Sequence, residues 1–335
     1  MTALVISPAE VRQLLPMDVC VDLIADALAT LARGEAVNPL RNGIRLPNDL
    51  GILGMMPGYM ASPHTLGLKV VAVFPGNHGT EYDSHQGVVV LFETEHGMPQ
   101  AILDASEITA IRTAAATGVA TRLLAREEAS VLAMLGSGVQ ARTHIEAMRV
   151  VRDIERVQVY SPSADNCDRF AQEEAERHSI AVESMESVRE AVDGADIICT
   201  TTSSRDPILE GDWIPAGCHV NAVGSSVRFT RELDTNAVLR SRLFVDRRES
   251  TVNEAGDFLF PKQEGAITDD HIVGEIGEIL LGTLPGRQSP EEITLFKSLG
   301  LAVEDLAAAH YVYQRAAAEG IGTPVELGGI KHAAT

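Results

Sequence analysis

Residues 130–141 read SVLAMLGSGVQA, an apolar run followed by two glycines and the start of a helical pattern. The spacing matches GxGxxA in the strand, turn and helix context that a dinucleotide-binding fold requires. Gly136 permits the tight turn, Gly138 lets the backbone approach a pyrophosphate, and Ala141 lets the helix pack closely on the strand. A glycine turn without a ligand is the alternative, but a second strand in register favours binding. We therefore expect a bound dinucleotide at this turn.

The sequence around this turn predicts two kinds of sheet. Strand and helix patterns alternate from Ser130 to about Val245, which predicts a doubly wound parallel sheet. From Asn38 to Asp104, short β-like runs are separated by proline, glycine, asparagine and histidine, which predicts a mostly antiparallel sheet. A capped helix follows Asp104, and LAVEDLAAAHYVYQRAAAEG near the C-terminus is a further helix. The expected fold class is α/β, with a Rossmann-type parallel sheet and a second α+β domain.

Composition and charge exclude several classes of partner. The chain has 335 residues, a formal net charge of −20 and no run of positive residues, so it should repel nucleic acid and anionic membranes. The sequence shows neither a secretory leader nor a membrane-length apolar run, and we expect a cytoplasmic protein. The four cysteines are scattered without a metal-ligand spacing. We expect buried thiols, and neither a metal nor a disulfide.

The residues after the second strand of the parallel sheet bear on the choice of dinucleotide. RVQVY is followed by Ser161, Pro162 and Ser163, where an NAD-selective fold places an acid on the ribose 2′-hydroxyl. Small hydroxyl side chains leave room for a 2′-phosphate, although this loop lacks an arginine to hold it. NADPH is therefore favoured over NADH, and use of both stays open.

Three basic residues precede the glycine turn and stand among apolar or small neighbours, namely Arg41, Lys69 and Arg112. Lys69 in TLGLKVVAVF has apolar neighbours on both sides, so an inward-pointing side chain would be partly desolvated unless an anion paired with it. Lys69 is therefore a candidate for a substrate site. An edge lysine that reaches solvent explains the pattern equally well. Arg112 in TAIRTAA points either to solvent or into a cleft, and Arg41 is also compatible with an exposed strand charge.

Six segments along the chain carry a family resemblance: TLGLKV, SHQG, ITAIRTAA, LGSGVQA, HVNAVGS and LFKSLGLAVED. In this order they resemble segments of the ornithine cyclodeaminase/μ-crystallin family, and six ordered motifs are more specific than one fingerprint. The resemblance implies an NAD(P)-dependent oxidoreductase that forms a homodimer. It also implies a substrate-binding and dimerisation domain of residues 1–118 with 301–335, and a dinucleotide-binding domain of residues 119–300.

The resemblance further assigns roles to individual residues. Arg41, Lys69 and Arg112 look like the basic cluster that holds a substrate carboxylate, a group that arginine pairs well. Thr113 and the glycine turn would contact the cofactor phosphates, the serines after the second strand would flank the ribose, and later loops would lie near the nicotinamide. The complete set of expected cofactor-binding residues is Thr113, Gly136, Ser137, Gly138, Val139, Gln140, Ser161, Ser163, Thr200, Thr202, Val223, Gly224, Ser225, Ser298, Leu299 and Gly300.

One position departs from the cyclodeaminase pattern. Cyclodeaminase members place an aspartate two residues after the glycine of the HVNAVG-like segment, and here that position is Ser226. A serine hydroxyl does not replace a carboxylate as a proton acceptor near neutral pH. The segment VGSSVRFTREL instead resembles the μ-crystallin side of the family, with which imine reduction is associated.

The favoured hypothesis is reduction of an imine beside a carboxylate, such as pyrroline- or piperideine-2-carboxylate, by hydride from NAD(P)H. Arg41 and Arg112 would clamp the carboxylate, Lys69 would orient the substrate and relay a proton, and Ser226 would hydrogen-bond the nitrogen or a water. Three alternatives stay open: an alanine-dehydrogenase-like enzyme that uses ammonium, an ornithine or lysine cyclodeaminase with recycled NAD, and a non-catalytic NADPH-binding protein of the crystallin type.

Overall fold

The computed structural model describes residues 2–77 and 80–327. The chain divides into a first unit, Met1–Arg112 with Leu301–Thr335, and a second unit, Thr113–Gly300. The strands are β1 (Thr2–Ile6), β2 (Ala36–Val37), β3 (Asn42–Arg45), β4 (Ile52–Ala61), β5 (His64–Val73), β6 (His85–Phe92), β7 (Pro99–Asp104), β8 (Val131–Leu135), β9 (Arg156–Tyr160), β10 (Ala181–Ser184), β11 (Ile197–Thr200), β12 (His219–Ala222), β13 (Arg242–Val245), β14 (Ile272–Glu275), β15 (Thr294–Lys297) and β16 (Thr323–Glu326). The α-helices are α1 (Pro8–Leu14), α2 (Met17–Ala32), α3 (Ala105–Leu124), α4 (Val139–Val151), α5 (Ala164–His178), α6 (Val188–Val192), α7 (Thr235–Leu239), α8 (Arg248–Glu254), α9 (Gly256–Gln263), α10 (Ile276–Leu280) and α11 (Ala302–Glu319).

Helix α3 contains the boundary between the two units. The units separate between Arg112 and Thr113, and the expected domain boundary between residues 118 and 119 falls in the same helix. The start of α3 follows from local chemistry, because the Asp104 carboxylate accepts a hydrogen bond of 2.7 Å from the backbone N–H of Glu107.

The first unit is built on an eight-stranded mixed sheet. Its strands run in the order β16-β1-β7-β6-β5-β4-β2, and β3 also pairs with β4. Neighbouring strands are antiparallel except for β1 and β7, which confirms the mostly antiparallel sheet. Strand β1 and the edge strand β16 were not anticipated from the sequence pattern. Helix α11 packs closely on this sheet, because a Cβ at Gly67 would lie 2.8 Å from Cδ2 of Leu306.

The second unit is the parallel sheet that the glycine turn predicted. Its eight strands run in the order β10-β9-β8-β11-β12-β15-β13-β14, and every neighbouring pair is parallel. The chain moves outward from β8 through β9 to β10, then returns to place β11 on the other side of β8. In such sheets, ligands bind outside the carboxyl ends of the strands where this reversal occurs. The edge formed by these strand ends is called the carboxyl edge below.

The four cysteines, Cys20, Cys167, Cys199 and Cys218, are free and buried, as expected from their spacing. Burial raises the pKa of the Cys199 thiol to about 12, so this side chain stays protonated and behaves as a small apolar group. Among the helices of the described residues, none combines the length and apolar character needed to cross a bilayer.

Candidate functional site

The first unit contains a buried group of four charged side chains, Lys69, Arg112, Glu304 and Asp305, which we call the charged cluster. Nζ of Lys69 lies 2.9 Å from Oδ1 and 2.8 Å from Oδ2 of Asp305. Arg112 donates from Nε to Oδ1 of Asp305 and from Nη1 to Oε2 of Glu304, both at 2.8 Å. All four residues are at most 4% exposed. Burial of these charges is tolerable because each cation has an acidic partner.

The beginning of α11 holds the two acids in place. Glu304 and Asp305 lie in the first turn of the helix, where negative side chains interact favourably with the helix dipole. The backbone N–H of Leu301 donates to Oε2 of Glu304 at 3.3 Å, and that of Val303 donates to Oδ1 of Asn38 at 3.1 Å. The start of α11 is therefore fixed immediately before the two acids.

The cluster gives its two cations different protonation behaviour. Burial, followed by the charge of Arg112, lowers the pKa of Lys69 to about 8, against the opposing effect of Asp305. The charge of Arg41 also lowers it. Burial lowers the pKa of Arg112 as well, but Asp305 and Glu304 outweigh it and the net pKa is raised. Arg112 is therefore a permanent cation, whereas Lys69 is able to exchange a proton near physiological pH.

The structure thus brings Lys69 and Arg112 together, with Arg41 close enough for its charge to act on Lys69. The sequence interpretation missed Glu304 and Asp305, because two acids at a helix start are usually read as a dipole effect. The available signal was their position inside the apolar run of LAVEDLAAAHY, where an unpaired charge would be costly. The role of Arg41, Lys69 and Arg112 in substrate binding stays a prediction.

The glycine turn in the second unit fits a dinucleotide phosphate. Gly136 has φ +122°, and a Cβ there would lie 2.8 Å from Oγ1 of Thr201. Gly138 has the extended φ −93° and ψ −168°, and its Cβ would meet no described protein atom within 4 Å. Neither backbone strain nor protein packing therefore explains glycine at 138, but close approach of a ligand does. Helix α4 begins at Val139 without a side-chain cap, which leaves its first amides for an anion.

The two serines expected at the ribose are in different situations. Oγ of Ser137 in the turn donates to Oγ of Ser161 at 3.0 Å, so Ser161 lies directly beside the turn. Oγ of Ser163 instead accepts a hydrogen bond of 3.4 Å from the N–H of Asn166 and caps α5. Ser161 is consequently the better placed of the two for a ribose or its phosphate.

Further expected cofactor residues lie at the carboxyl edge, after β11, β12 and β15. Asp246 accepts from the N–H groups of Leu299 and Gly300 at 2.6 and 2.8 Å, which fixes that segment. Oγ of Ser298 and Oε1 of Gln140 are buried and have no hydrogen-bond partner among the described residues. Buried polar atoms are usually satisfied, so these two atoms are suited to a polar ligand.

The remaining expected residues of the second unit differ in their burial and in their hydrogen bonds. Thr113 is buried in α3, and Val223 donates its N–H to the carbonyl of Thr200 at 3.0 Å. Oγ of Ser225 forms hydrogen bonds with the carbonyl and hydroxyl oxygens of Thr230, so the Ser225 side chain stabilises its own loop. Ser226 is half-buried in the same loop.

Thr200, Thr202 and Gly224 share one partner that the sequence interpretation also missed, the buried Glu232. Burial and the charge of Asp257 raise the pKa of this carboxyl, against hydrogen bonds from Thr200 and Thr202 and the charge of Lys297. No sequence motif pointed to Glu232, because an acid in an irregular loop is ordinarily exposed.

Comparisons with known proteins find relatives that match almost the whole chain. Delta(1)-pyrroline-2-carboxylate reductase of Bacillus cereus is 37% identical over 325 residues, 97% of this chain and 100% of the relative. Ketimine reductase mu-crystallin of Mus musculus is 39% identical over 290 residues, 86% of this chain and 88% of the relative. The structure of Thermococcus litoralis Delta(1)-pyrroline-2-carboxylate reductase in complex with NADH and L-proline superposes with a TM-score of 0.94, at 38% identity, covering 96% of this chain and 100% of that one.

The family comparison covers the same range. The model of the ornithine cyclodeaminase/mu-crystallin family matches residues 1–320, which include both the charged cluster and the glycine turn. The chain therefore belongs to the ornithine cyclodeaminase/mu-crystallin family.

Proposed function

We propose that this protein reduces a small imino acid, such as pyrroline-2-carboxylate or piperideine-2-carboxylate, to the amino acid with NAD(P)H. The observation that carries the proposal is the charged cluster, in which Asp305 holds a permanent cation, Arg112, beside a lysine whose pKa is about 8. Two relatives that match most of this chain are named Delta(1)-pyrroline-2-carboxylate reductase and ketimine reductase mu-crystallin. Bound NAD(P)H supplies the hydride for the imine carbon.

The chain supplies the binding groups and the proton. Arg112 uses Nε and Nη1 for its hydrogen bonds to Asp305 and Glu304, so Nη2 is available for a substrate carboxylate. Arg41 adds positive charge beside Lys69. Conversion of an imine to an amine takes up one hydride at carbon and one proton at nitrogen. Lys69 is the donor of that proton, and Ser226 is a hydrogen-bonding group for the nitrogen or a water.

The decisive experiment follows nicotinamide absorbance with NADPH or NADH and a panel of cyclic imines, without added ammonium. Oxidation of the cofactor is the expected result. Turnover only with ammonium and a 2-oxo acid would instead indicate the alanine-dehydrogenase-like activity. Ammonia release from ornithine or lysine without net cofactor change would indicate cyclodeamination, and NADPH binding without turnover would indicate a non-catalytic protein.

We also propose that NADPH is preferred, with NADH accepted. The support is that Ser161, hydrogen-bonded to Ser137 of the glycine turn, presents an uncharged hydroxyl at the end of β9, where an acid would repel a 2′-phosphate. The variant Ser161→Asp should lower kcat/KM for NADPH much more than for NADH. Equal loss with both cofactors would contradict this preference.

A homodimer formed through the sheet of the first unit is a further part of the proposal. Side chains alternate along β5, so Leu66 points away from the face on which Gly67 meets α11. Leu66 and Val88 are each 38% exposed, and their cross-strand neighbours Phe92 and Val70 are also apolar. Such a face is suited to a second copy of the chain. Light scattering should give a dimer mass that Leu66→Asp with Val88→Asp reduces to a monomer, and Leu239→Asp should leave unchanged.

A further inference from the structure

Glu232 joins two loops of the carboxyl edge through one buried carboxylate. Its Oε1 accepts from the N–H and Oγ1 of Thr202 at 2.6 and 2.7 Å. Its Oε2 accepts from Oγ1 of Thr200 at 2.7 Å and from the N–H of Gly224 at 2.8 Å. A carboxylate offers about four acceptor positions, so all of them are used. The segments after β11 and β12 are therefore held in one fixed arrangement.

A second carboxylate extends this arrangement to a third strand. Oδ1 of Asp257 accepts from the N–H groups of Glu232 and Leu233 at 2.8 and 3.0 Å. Oδ2 of Asp257 accepts from Nζ of Lys297, at the end of β15, at 2.9 Å. Glu232, Asp257 and Lys297 are at most 2% exposed. The network therefore connects the ends of β11, β12 and β15.

Stability alone does not account for a carboxylate at position 232. A buried acid carries a large desolvation cost, and well-packed apolar residues often replace buried charges without loss of stability. Only an acceptor group, however, fixes the N–H groups of Thr202 and Gly224 together with the hydroxyl of Thr200. The carboxylate is thus suited to orienting polar groups of the loops themselves.

We propose that Glu232 is a positioning residue for the nicotinamide half of the cofactor. It holds Thr200, Thr202 and Gly224 in the arrangement that receives the ring, without contacting the cofactor. The adenosine half depends on the glycine turn and the end of β9 instead. This inference rests on the proposed use of NAD(P)H, and it predicts that the two halves of the cofactor respond differently to a change at Glu232.

The test compares binding of NADH with binding of ADP-ribose, which lacks the nicotinamide, in wild type and Glu232→Gln. A glutamine in either orientation turns its NH₂ group toward a backbone N–H, of Thr202 or of Gly224, so one loop loses its acceptor. We expect the Kd of NADH to rise about tenfold, the Kd of ADP-ribose to change less than about twofold, and kcat to fall. Equal weakening of both ligands, or a lowered Tm with unchanged Kd values, would overturn the inference.

Asp196→Asn is the matched control at the opposite end of the same sheet. Asp196 precedes β11, and its carboxylate accepts from the N–H groups of Ser130 and Val131 at 2.9 and 3.0 Å. This variant should lower Tm and leave the ratio of the two Kd values unchanged. If Glu232→Gln does not fold, Asp257→Asn, which weakens the hold on the backbone N–H groups of Glu232 and Leu233, should shift the same ratio in the same direction.

Failure of the proposed reaction is distinguishable from failure of this inference. A wild-type protein that binds NADH but reduces no imine would contradict the reaction, whereas separation of the two Kd values in Glu232→Gln would still support positioning. A wild-type protein that binds neither NADH nor NADPH would overturn both.

Discussion

The charged cluster of the first unit and the carboxyl edge of the second unit are both polar, but they are stabilised differently. In the cluster, cations are paired with acids from a distant helix, and Lys69 and Asp305 are 236 residues apart. At the carboxyl edge, backbone amides, hydroxyls and glycines form most of the site, and adjacent parallel strands bring these groups together. The comparison teaches that the first site pairs its buried cations with acids, whereas the second directs the buried carboxylate of Glu232 at backbone N–H groups and hydroxyls.

The largest effect should come from removing the acid shared by the two cations. Asp305→Asn leaves Lys69 and Arg112 buried with a single acidic partner, and the free energy of unfolding should fall by about 3–5 kcal/mol. Turnover should also be lost, because neither cation keeps its position. Denaturant unfolding followed by circular dichroism measures the first effect, and nicotinamide absorbance the second.

The control for Asp305 lies on the same helix. Glu319 forms an exposed pair with Arg315, and Glu319→Gln should change the free energy of unfolding by at most about 1 kcal/mol. If Asp305→Asn were as stable and as active as this control, the charged cluster would have no special role.

The next effect is a change of kcat/KM with pH, which tests the charged cluster and not the carboxyl edge. A lysine loses its charge as pH rises through its pKa, and the pKa of Lys69 is lowered to about 8. If Lys69 donates the proton, kcat/KM should fall above pH 8, approaching about tenfold per pH unit. In Lys69→Arg turnover should be lower at every pH, because an arginine stays charged and does not release a proton, and the remaining kcat/KM should show no alkaline decline below pH 10. An identical decline in the variant would assign the titration to the substrate.

A smaller effect should separate the two glycines of the carboxyl edge. Gly138→Ala adds a methyl group where no described protein atom lies within 4 Å, so Tm should stay the same while the Kd of NADPH rises about tenfold. Gly136→Ala should lower both Tm and affinity, because it has a positive φ and Thr201 lies close. An unchanged Kd of NADPH in Gly138→Ala would show that the glycine turn does not bind a cofactor phosphate.

The smallest effect concerns Ser163. Because its hydroxyl caps α5, Ser163→Ala should cost about 1 kcal/mol of stability and leave the Kd of NADPH unchanged. Ser187→Ala, which removes the corresponding cap of α6, is the matched control. Weaker NADPH binding in Ser163→Ala alone would show that the hydroxyl contacts the cofactor after all.

Much of the fold followed from local patterns. The GxGxxA turn, the alternating strands and helices after Ser130 and the capped start of α3 each depend on residues that are close in sequence. Such features can be predicted from the sequence because backbone geometry and hydrophobic periodicity are local properties. Strands β1 and β16 were not predicted because Thr2 pairs with Glu326, and no local pattern records a partner at the other end of the chain.

By itself, the sequence determined the α/β class, the parallel sheet with its glycine turn, and three basic candidates for a substrate site. Only the tertiary structure decided that Asp305 joins Lys69 to Arg112 and that Glu232 joins the loops after β11 and β12. The physical reason is that the cost of a buried charge is set by its partners in space, whereas a sequence pattern reports only which residues are near along the chain.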